Sequence, residues 1–213
     1  MDNLTWTSIS LTCVEYPQGD GIGYFLAYAS LIPLAVLVSY VALVLNNRDL
    51  PTICLFTGQL INEGINIVAK RTLKHPRPEN PHHLVGSANK YGMPSQHCQS
   101  MAFFTAYCFL YLMHQANHKT LFTRLTLTII LISNFLIILY SRVYLLYHYT
   151  SQCVVGAIIG SLFAYLWFRL TYDFLAHFFD KIVTWKISRF LGLTTWNMNL
   201  TPRTTKSSKK KTK

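Results

Sequence analysis

Gln59-Leu60-Ile61-Asn62-Glu63-Gly64-Ile65-Asn66-Ile67-Val68-Ala69-Lys70 decides the fold. Its leucine, isoleucines and valine mark a membrane-crossing helix, yet Gln59, Asn62, Glu63, Asn66 and Lys70 recur at spacings of three and four and share one face. Hydrocarbon offers that stripe no hydrogen-bond partner, and polar side chains at membrane depth turn towards a bundle interior or a wet cavity. The helix therefore reads as one wall of a site inside a helical bundle. Gln59 and Asn62 also suit plain interhelical hydrogen bonding, and Glu63 is a possible support for the site.

The rest of the chain fits that frame. Of its 213 residues 51% are hydrophobic, with 13 Tyr and 13 Phe, which is a membrane composition. Apolar stretches run from about Gly23 to Leu45, Pro51 to Ala69, Cys98 to Met113, Leu121 to Tyr140 and Gln152 to Leu170. Each approaches the ~17 to 25 residues that cross hydrocarbon. The expected fold is an all-α, multi-span transmembrane bundle of about five spans. A sixth apolar stretch, Phe174 to Leu193, is interrupted by His177, Asp180, Lys181, Lys186 and Arg189 and fits an amphipathic interfacial helix. The expected units are an N-terminal segment (1–22), a transmembrane catalytic domain (23–170), an amphipathic helix or extra span (171–200) and a basic disordered tail (201–213). No signal peptide is visible, and Cys13, Cys54, Cys98, Cys108 and Cys153 lack paired spacing, so buried thiols are expected.

The net charge of +11 does not indicate nucleic acid, because Arg203, Lys206, Lys209, Lys210, Lys211 and Lys213 belong to the polar tail. In a multi-span chain the distribution of Lys and Arg reports orientation. Alternating five spans puts the Arg71–His97 loop and the Ser141–Ser151 segment on one side. Lys119, Arg124, Lys181, Lys186, Arg189 and the tail fall on the other, which is expected to be cytosolic. The ending Lys210-Lys211-Thr212-Lys213 resembles a dilysine retrieval signal of endoplasmic reticulum proteins, read by cytosolic retrieval machinery. A lipid-attracted basic tail is the other reading.

Three polar clusters share the opposite side. Lys70 closes the striped helix, and Arg77 is held between Pro76 and Pro78, so a rigid planar guanidinium and a compact charge stand together. Ser95, Gln96 and His97 open the third apolar stretch, where free helix amides attract an anion; Ser95 serves there as a donor or as a helix cap. Ser141 and Arg142 end the fourth stretch, and a helical continuation would put Ser141 and His148 on one face. Gln152, four residues beyond His148, can bind one imidazole nitrogen and leave the other to attack phosphorus. Lys70, Arg77 and Arg142 would fix phosphoryl oxygens, and two imidazoles would divide nucleophile from general acid.

Lys70 followed after six residues by Arg77-Pro78, Pro94-Ser95-Gln96-His97, and Ser141-Arg142 followed after five by His148 resemble the three motifs of the type 2 phosphatidic acid phosphatase superfamily. Gln96 stands where that family usually has glycine, and Gln152 where it usually has the aspartate that orients the nucleophile. The wording from Tyr91 to His97 and from Ser141 to Gln152 looks most like the dolichyldiphosphatase branch. The resemblance implies hydrolysis of dolichyl diphosphate on the lumenal face of the endoplasmic reticulum, recycling the lipid carrier of protein N-glycosylation. His148 would be the nucleophile that forms a phosphohistidine and His97 the proton donor. Lys70, Arg77, Ser95, Gln96 and Arg142 would bind phosphate, with Ser141 in support. A phosphatase of another lipid phosphate, a lipid phosphotransferase and a non-catalytic lipid-binding scaffold are the alternatives. No carboxylate cluster accompanies the site, so no metal or other cofactor is expected; His75, His82 and His83 are scattered loop histidines.

Overall fold

The computed structural model describes residues 6–9, 14–78, 91–114 and 120–195. A short antiparallel hairpin, β1 (Trp6–Ile9) and β2 (Val14–Pro17), adds to the expected all-α bundle. Asp20 then caps α1 (Gly21–Ala29), its carboxylate accepting from the Ile22 amide at 3.0 Å. Pro33 lies in the first turn of α2 (Ile32–Asn47) and lacks an N–H, so the expected span from Gly23 to Leu45 is two helices broken at Ser30 and Leu31. Arg48 turns the chain through a left-handed conformation, and Asp49 caps α3 (Leu50–Leu73) by accepting from the Thr52 amide at 2.8 Å.

The bundle is completed by α4 (Gln96–His114), α5 (Leu121–Tyr144) and α6 (Thr150–Arg169). Of these, α4 is central, packing most extensively on α6 and also touching α3 and α5. Phe103, Tyr107, Ala164 and Phe168 form its buried seam with α6. Glycines allow that approach: a Cβ on Gly156 would lie 2.7 Å from the Ser95 carbonyl oxygen, and one on Gly160 would lie 2.2 Å from that of Gln99.

Among the described residues, three helical stretches are long and apolar enough to cross a membrane: Gly21–Asn47, Leu121–Tyr144 and Thr150–Val183. Of the five expected spans, α3 and α4 fall below that threshold although they extend about 36 Å and about 28 Å at 1.5 Å per residue. The cause is polar side chains that face one another. Asn62, Asn66 and Gln99 are fully buried between them, Asn66 Nδ2 donating to Gln99 Oε1 at 2.7 Å and Gln99 Nε2 to Asn62 Oδ1 at 3.0 Å. Conversely, α5 turns apolar side chains outward, with Phe122 78% and Ile129 63% exposed, as hydrocarbon solvent requires.

The chain beyond Arg169 does not start a separate helix. It continues through a π-helical turn (Leu170–Leu175) into α7 (Ala176–Val183), so the expected boundary after residue 170 falls within a continuous 34-residue helix. After α8 (Lys186–Phe190), the Thr194 amide donates to the Arg48 carbonyl at 2.9 Å and its carbonyl accepts from Leu50 at 3.0 Å. Residue 194 thus sits beside the start of α3, while Lys70 and the loop after it lie at its far end. The tail at 201–213 with Lys210 and Lys211, and also Cys13, His82, His83 and Lys119, lie outside the described residues. The remaining cysteines are free thiols, Cys98 and Cys153 buried, Cys54 and Cys108 half-buried.

Candidate active site

Three chain reversals converge at one end of the bundle. Lys74, left-handed at φ 48°, ends α3 one turn after Lys70. The following loop is tied to the entry of α4 by a bridge between Pro76 and Tyr91, where the Gly92 amide donates to the His75 carbonyl at 2.8 Å. Arg77 is thereby fixed beside the Ser95 turn. The Ser95 amide in turn donates to the Gln152 carbonyl at 3.0 Å, and Asn66 Nδ2 donates to the Pro94 carbonyl at 3.3 Å. The third reversal departs from the expected helical continuation. α5 stops at Tyr144, Leu146 takes φ 57°, and the amides of Tyr147 and His148 both return to the Arg142 carbonyl at 3.0 and 3.1 Å. His148 is therefore folded back over Arg142 rather than carried forward along a helix.

The imidazole of His148 is buried, and its Nδ1 lies 3.0 Å from Gln152 Oε1. The orientation of that amide follows from its other partners: Oε1 also accepts from the Tyr149 amide at 3.3 Å, and Nε2 donates to the Pro76 carbonyl at 2.6 Å. Oε1 is an acceptor only, so His148 carries its proton on Nδ1 and leaves the Nε2 lone pair free. Burial first, and then the charge of Arg77, push the His148 imidazole down to about 3, against a smaller upward effect of the Gln152 bond. It is neutral at physiological pH.

Around it stand donors without acceptors. Among the described residues, Nε and Nη2 of Arg142, Nε of Arg77 and the hydroxyl of Ser95 are buried with no hydrogen-bond partner. Ser95 immediately precedes α4, and its hydroxyl does not cap the helix but stands near the Cys98 and Cys153 thiols. Arg142 lies over the Tyr147 ring, 4.7 Å from its centre, and Arg77 Nη1 reaches the Tyr147 carbonyl at 3.5 Å. Buried orphan donors are rare because each costs its desolvation, and an anion with several acceptor oxygens would satisfy this cluster. His97 stands in the first turn of α4, within electrostatic reach of Arg142, His148, Lys70 and Arg77.

The supporting residues divide. Gln96 is exposed, and its amide donates to Glu63 Oε2 at 2.8 Å, while Glu63 also accepts from Gln59 at 2.9 Å and from Ser100. Glu63 thus ties α3 to the first turn of α4. Ser141 is buried, but its hydroxyl donates one turn back to the Ile138 carbonyl at 2.7 Å. Tyr147, to which the sequence assigns no site role, joins the site to the N-terminal hairpin, its hydroxyl accepting from the Glu15 amide at 2.9 Å. Asn66 is legible only as part of a stripe and its partner Gln99 carries no signal, while Gly156-Ala157-Ile158-Ile159-Gly160 has the small-residue spacing that brings helices close. Among the described residues no group of three or more His, Cys, Asp or Glu side chains could hold a metal ion.

Comparison with known proteins is consistent with this geometry. The model of the PAP2 superfamily matches residues 51–176, from the start of α3 into α7. The chain belongs to the PAP2 superfamily. Dolichyldiphosphatase 1 of Homo sapiens is 44% identical over 193 residues, covering 87% of this chain and 80% of that one. Lipid phosphate phosphatase gamma of Arabidopsis thaliana is 33% identical over 186 residues, covering 86% and 82%. The crystal structure of the PAP2-type phosphatidylglycerolphosphate phosphatase from Bacillus subtilis superposes with a TM-score of 0.58 at 16% identity, covering 72% of this chain and 78% of that one, and shares the fold. As a PAP2 protein the chain is a multi-pass membrane hydrolase acting on a phosphate ester or anhydride.

Proposed function

We propose that the chain hydrolyses dolichyl diphosphate to dolichyl phosphate and inorganic phosphate. The observation that carries the phosphate chemistry is the set of buried, unpartnered N–H and O–H groups of Arg77, Ser95 and Arg142 beside a neutral His148. Relatives that bear the name Dolichyldiphosphatase 1 and match most of the chain support the lipid.

In this reading the Nε2 lone pair of His148 attacks the terminal phosphorus, and the bond to the bridging oxygen breaks. Burial and the neighbouring cations hold the His97 imidazole well below its ordinary value in the free enzyme; the bound diphosphate's negative charge offsets them, and protonated His97 gives its proton to the departing dolichyl phosphate, leaving a phosphohistidine. Arg142, Arg77, Lys70 and Ser95 hold the phosphoryl oxygens, most strongly as negative charge grows on them. His97, now a base, takes a proton from water, the water oxygen attacks phosphorus, and the P–N bond breaks to return neutral His148 and phosphate. Every step uses side chains of this chain, so turnover needs no metal.

The protein would reside in the endoplasmic reticulum with the site lumenal, recycling the carrier for N-glycosylation, and with the C-terminus cytosolic, where Lys210 and Lys211 meet retrieval machinery. Loop charge supports that orientation, as does the contact of Thr194 with the turn between α2 and α3, away from the site. A second reading, a phosphatase of other lipid phosphates, is favoured by the resemblance to a lipid phosphate phosphatase. Purified protein offered dolichyl diphosphate and phosphatidate together decides between them: release of phosphate mainly from phosphatidate would sink the dolichol assignment, and a phosphorylated acceptor in place of free phosphate would indicate a transferase.

A further inference from the structure

Gln152 spends both amide hydrogens on the loop between Lys70 and Arg77. Nε2 lies 2.6 Å from the Pro76 carbonyl oxygen and 2.9 Å from His75 Nδ1. The Pro76 carbonyl can only accept and takes one hydrogen; His75 Nδ1, itself 3.0 Å from that carbonyl oxygen, accepts the second in the tautomer that carries its proton on Nε2. Gly92 makes room for this arrangement, since a Cβ there would lie 2.5 Å from Gln152 Oε1. His75 is half-buried and set edge-on to Tyr149, with 6.3 Å between the ring centres.

We propose that His75 is a positioning residue for the nucleophile: by accepting the second amide hydrogen of Gln152 it keeps Gln152 Oε1 on His148 Nδ1 and so holds the attacking nitrogen unprotonated and aimed. Without that acceptor the amide keeps its anchors at Pro76 and the Tyr149 amide but leaves its second hydrogen unpaired, so turning about its terminal torsion to offer NH2 where the oxygen stood costs less. A donor facing Nδ1 would favour the other tautomer, with the proton on the nitrogen that must attack. The same geometry accounts for an amide where the family usually has a carboxylate. A carboxylate at position 152 would set an oxygen against the Pro76 carbonyl, acceptor against acceptor.

The inference rests on His148 as nucleophile. The test uses full-length protein with His75→Phe, which keeps an aromatic ring beside Tyr149 without an acceptor, and His75→Asn, whose side-chain oxygen can occupy the place of Nδ1. His75→Phe is expected to lower kcat about tenfold with KM unchanged, the scale of one buried hydrogen bond. His75→Asn should restore most of it. The pair His75→Phe with Gln152→Ala should be no slower than Gln152→Ala alone, because His75 acts only through the amide. Unchanged kcat in His75→Phe, no rescue by His75→Asn, losses that multiply in the double variant, or a rise in KM in place of a fall in kcat would each overturn the proposal. Nitrogen-15 shifts of histidine-labelled protein read the His148 tautomer without substrate: the wild type should carry the proton on Nδ1, and His75→Phe should lose that preference. If the wild type fails to hydrolyse dolichyl diphosphate, the substrate reading falls while the tautomer comparison still decides the role of His75.

Discussion

Gly156 lies against the Ser95 carbonyl so closely that a single added carbon would meet the oxygen at 2.7 Å. The obstacle is backbone, which cannot swing aside as a flexible side chain would. Gly156→Ala should therefore part α6 from the entry of α4, costing about 1 to 3 kcal/mol as overpacking does. Because the shift falls on Ser95 and its neighbour His97, kcat should drop by more than the loss of folded protein explains. Thermal unfolding in detergent alongside activity per folded molecule separates the two effects.

Arg142 offers Nε and Nη2 together, the fork that a phosphate can accept from twice, and holds it over the Tyr147 ring. A lysine supplies charge without the fork. Arg142→Lys is expected to cut kcat/KM by about 10²- to 10³-fold, comparable with removing a donor aimed at transition-state charge. Near-normal kcat/KM in this variant would refute a paired phosphate contact.

His148→Ala should abolish both turnover and acid-labile phosphoenzyme. His97→Ala should behave differently with the leaving group: severe for a lipid diphosphate, milder for an aryl phosphate, whose departing oxygen needs little protonation. Trapped phosphoenzyme and the ratio of the two rates provide the measurement.

The acid limb should be displaced. A histidine with its ordinary value of ~6.5 would lose its lone pair as pH falls through that region. His148 is held down to about 3, so the free enzyme keeps its neutral nucleophile down to that region and loses it only as pH falls further. The kcat/KM profile should show no histidine-type fall near ~6.5 assignable to His148. A His148 nitrogen-15 titration centred there would contradict the burial argument.

Exhaustive treatment with EDTA should leave turnover of the purified protein unchanged, since the proposed mechanism meets phosphoryl charge with Arg77, Arg142 and Lys70. Loss of activity restored by a divalent cation would require ligands other than those assigned.

Much of this architecture is written in local pattern. The stripe from Gln59 to Lys70 announces a buried polar face, and the proline pair around Arg77 announces a rigid turn, because each depends on residues close in the chain. Long-range partners are not written that way. The contact between the Glu15 amide and Tyr147 spans 132 residues, and that between Gln152 and Pro76 spans 76, with no periodicity to mark either. The end of α5 was misread as continuing because nothing between Ser141 and His148 is a helix breaker: the left-handed residue is Leu146, a type that seldom adopts it. At the other end, charges after Arg169 suggested a boundary, yet a π-helical turn carries the helix through.

The polar seam between α3 and α4 has a consequence for how the protein is made. Asn62 and Asn66 on one helix and Gln99 on the other hydrogen-bond across the seam, so neither helix alone offers the bilayer a clean apolar surface. Partitioned singly, each would carry bare amides into oil; partitioned together, they present an outer surface much closer to that of an ordinary span. The loop bearing Arg77 and Ser95 is then the bend of a single insertion unit, and the translocation machinery would have to hold α3 until α4 emerges before releasing both to lipid.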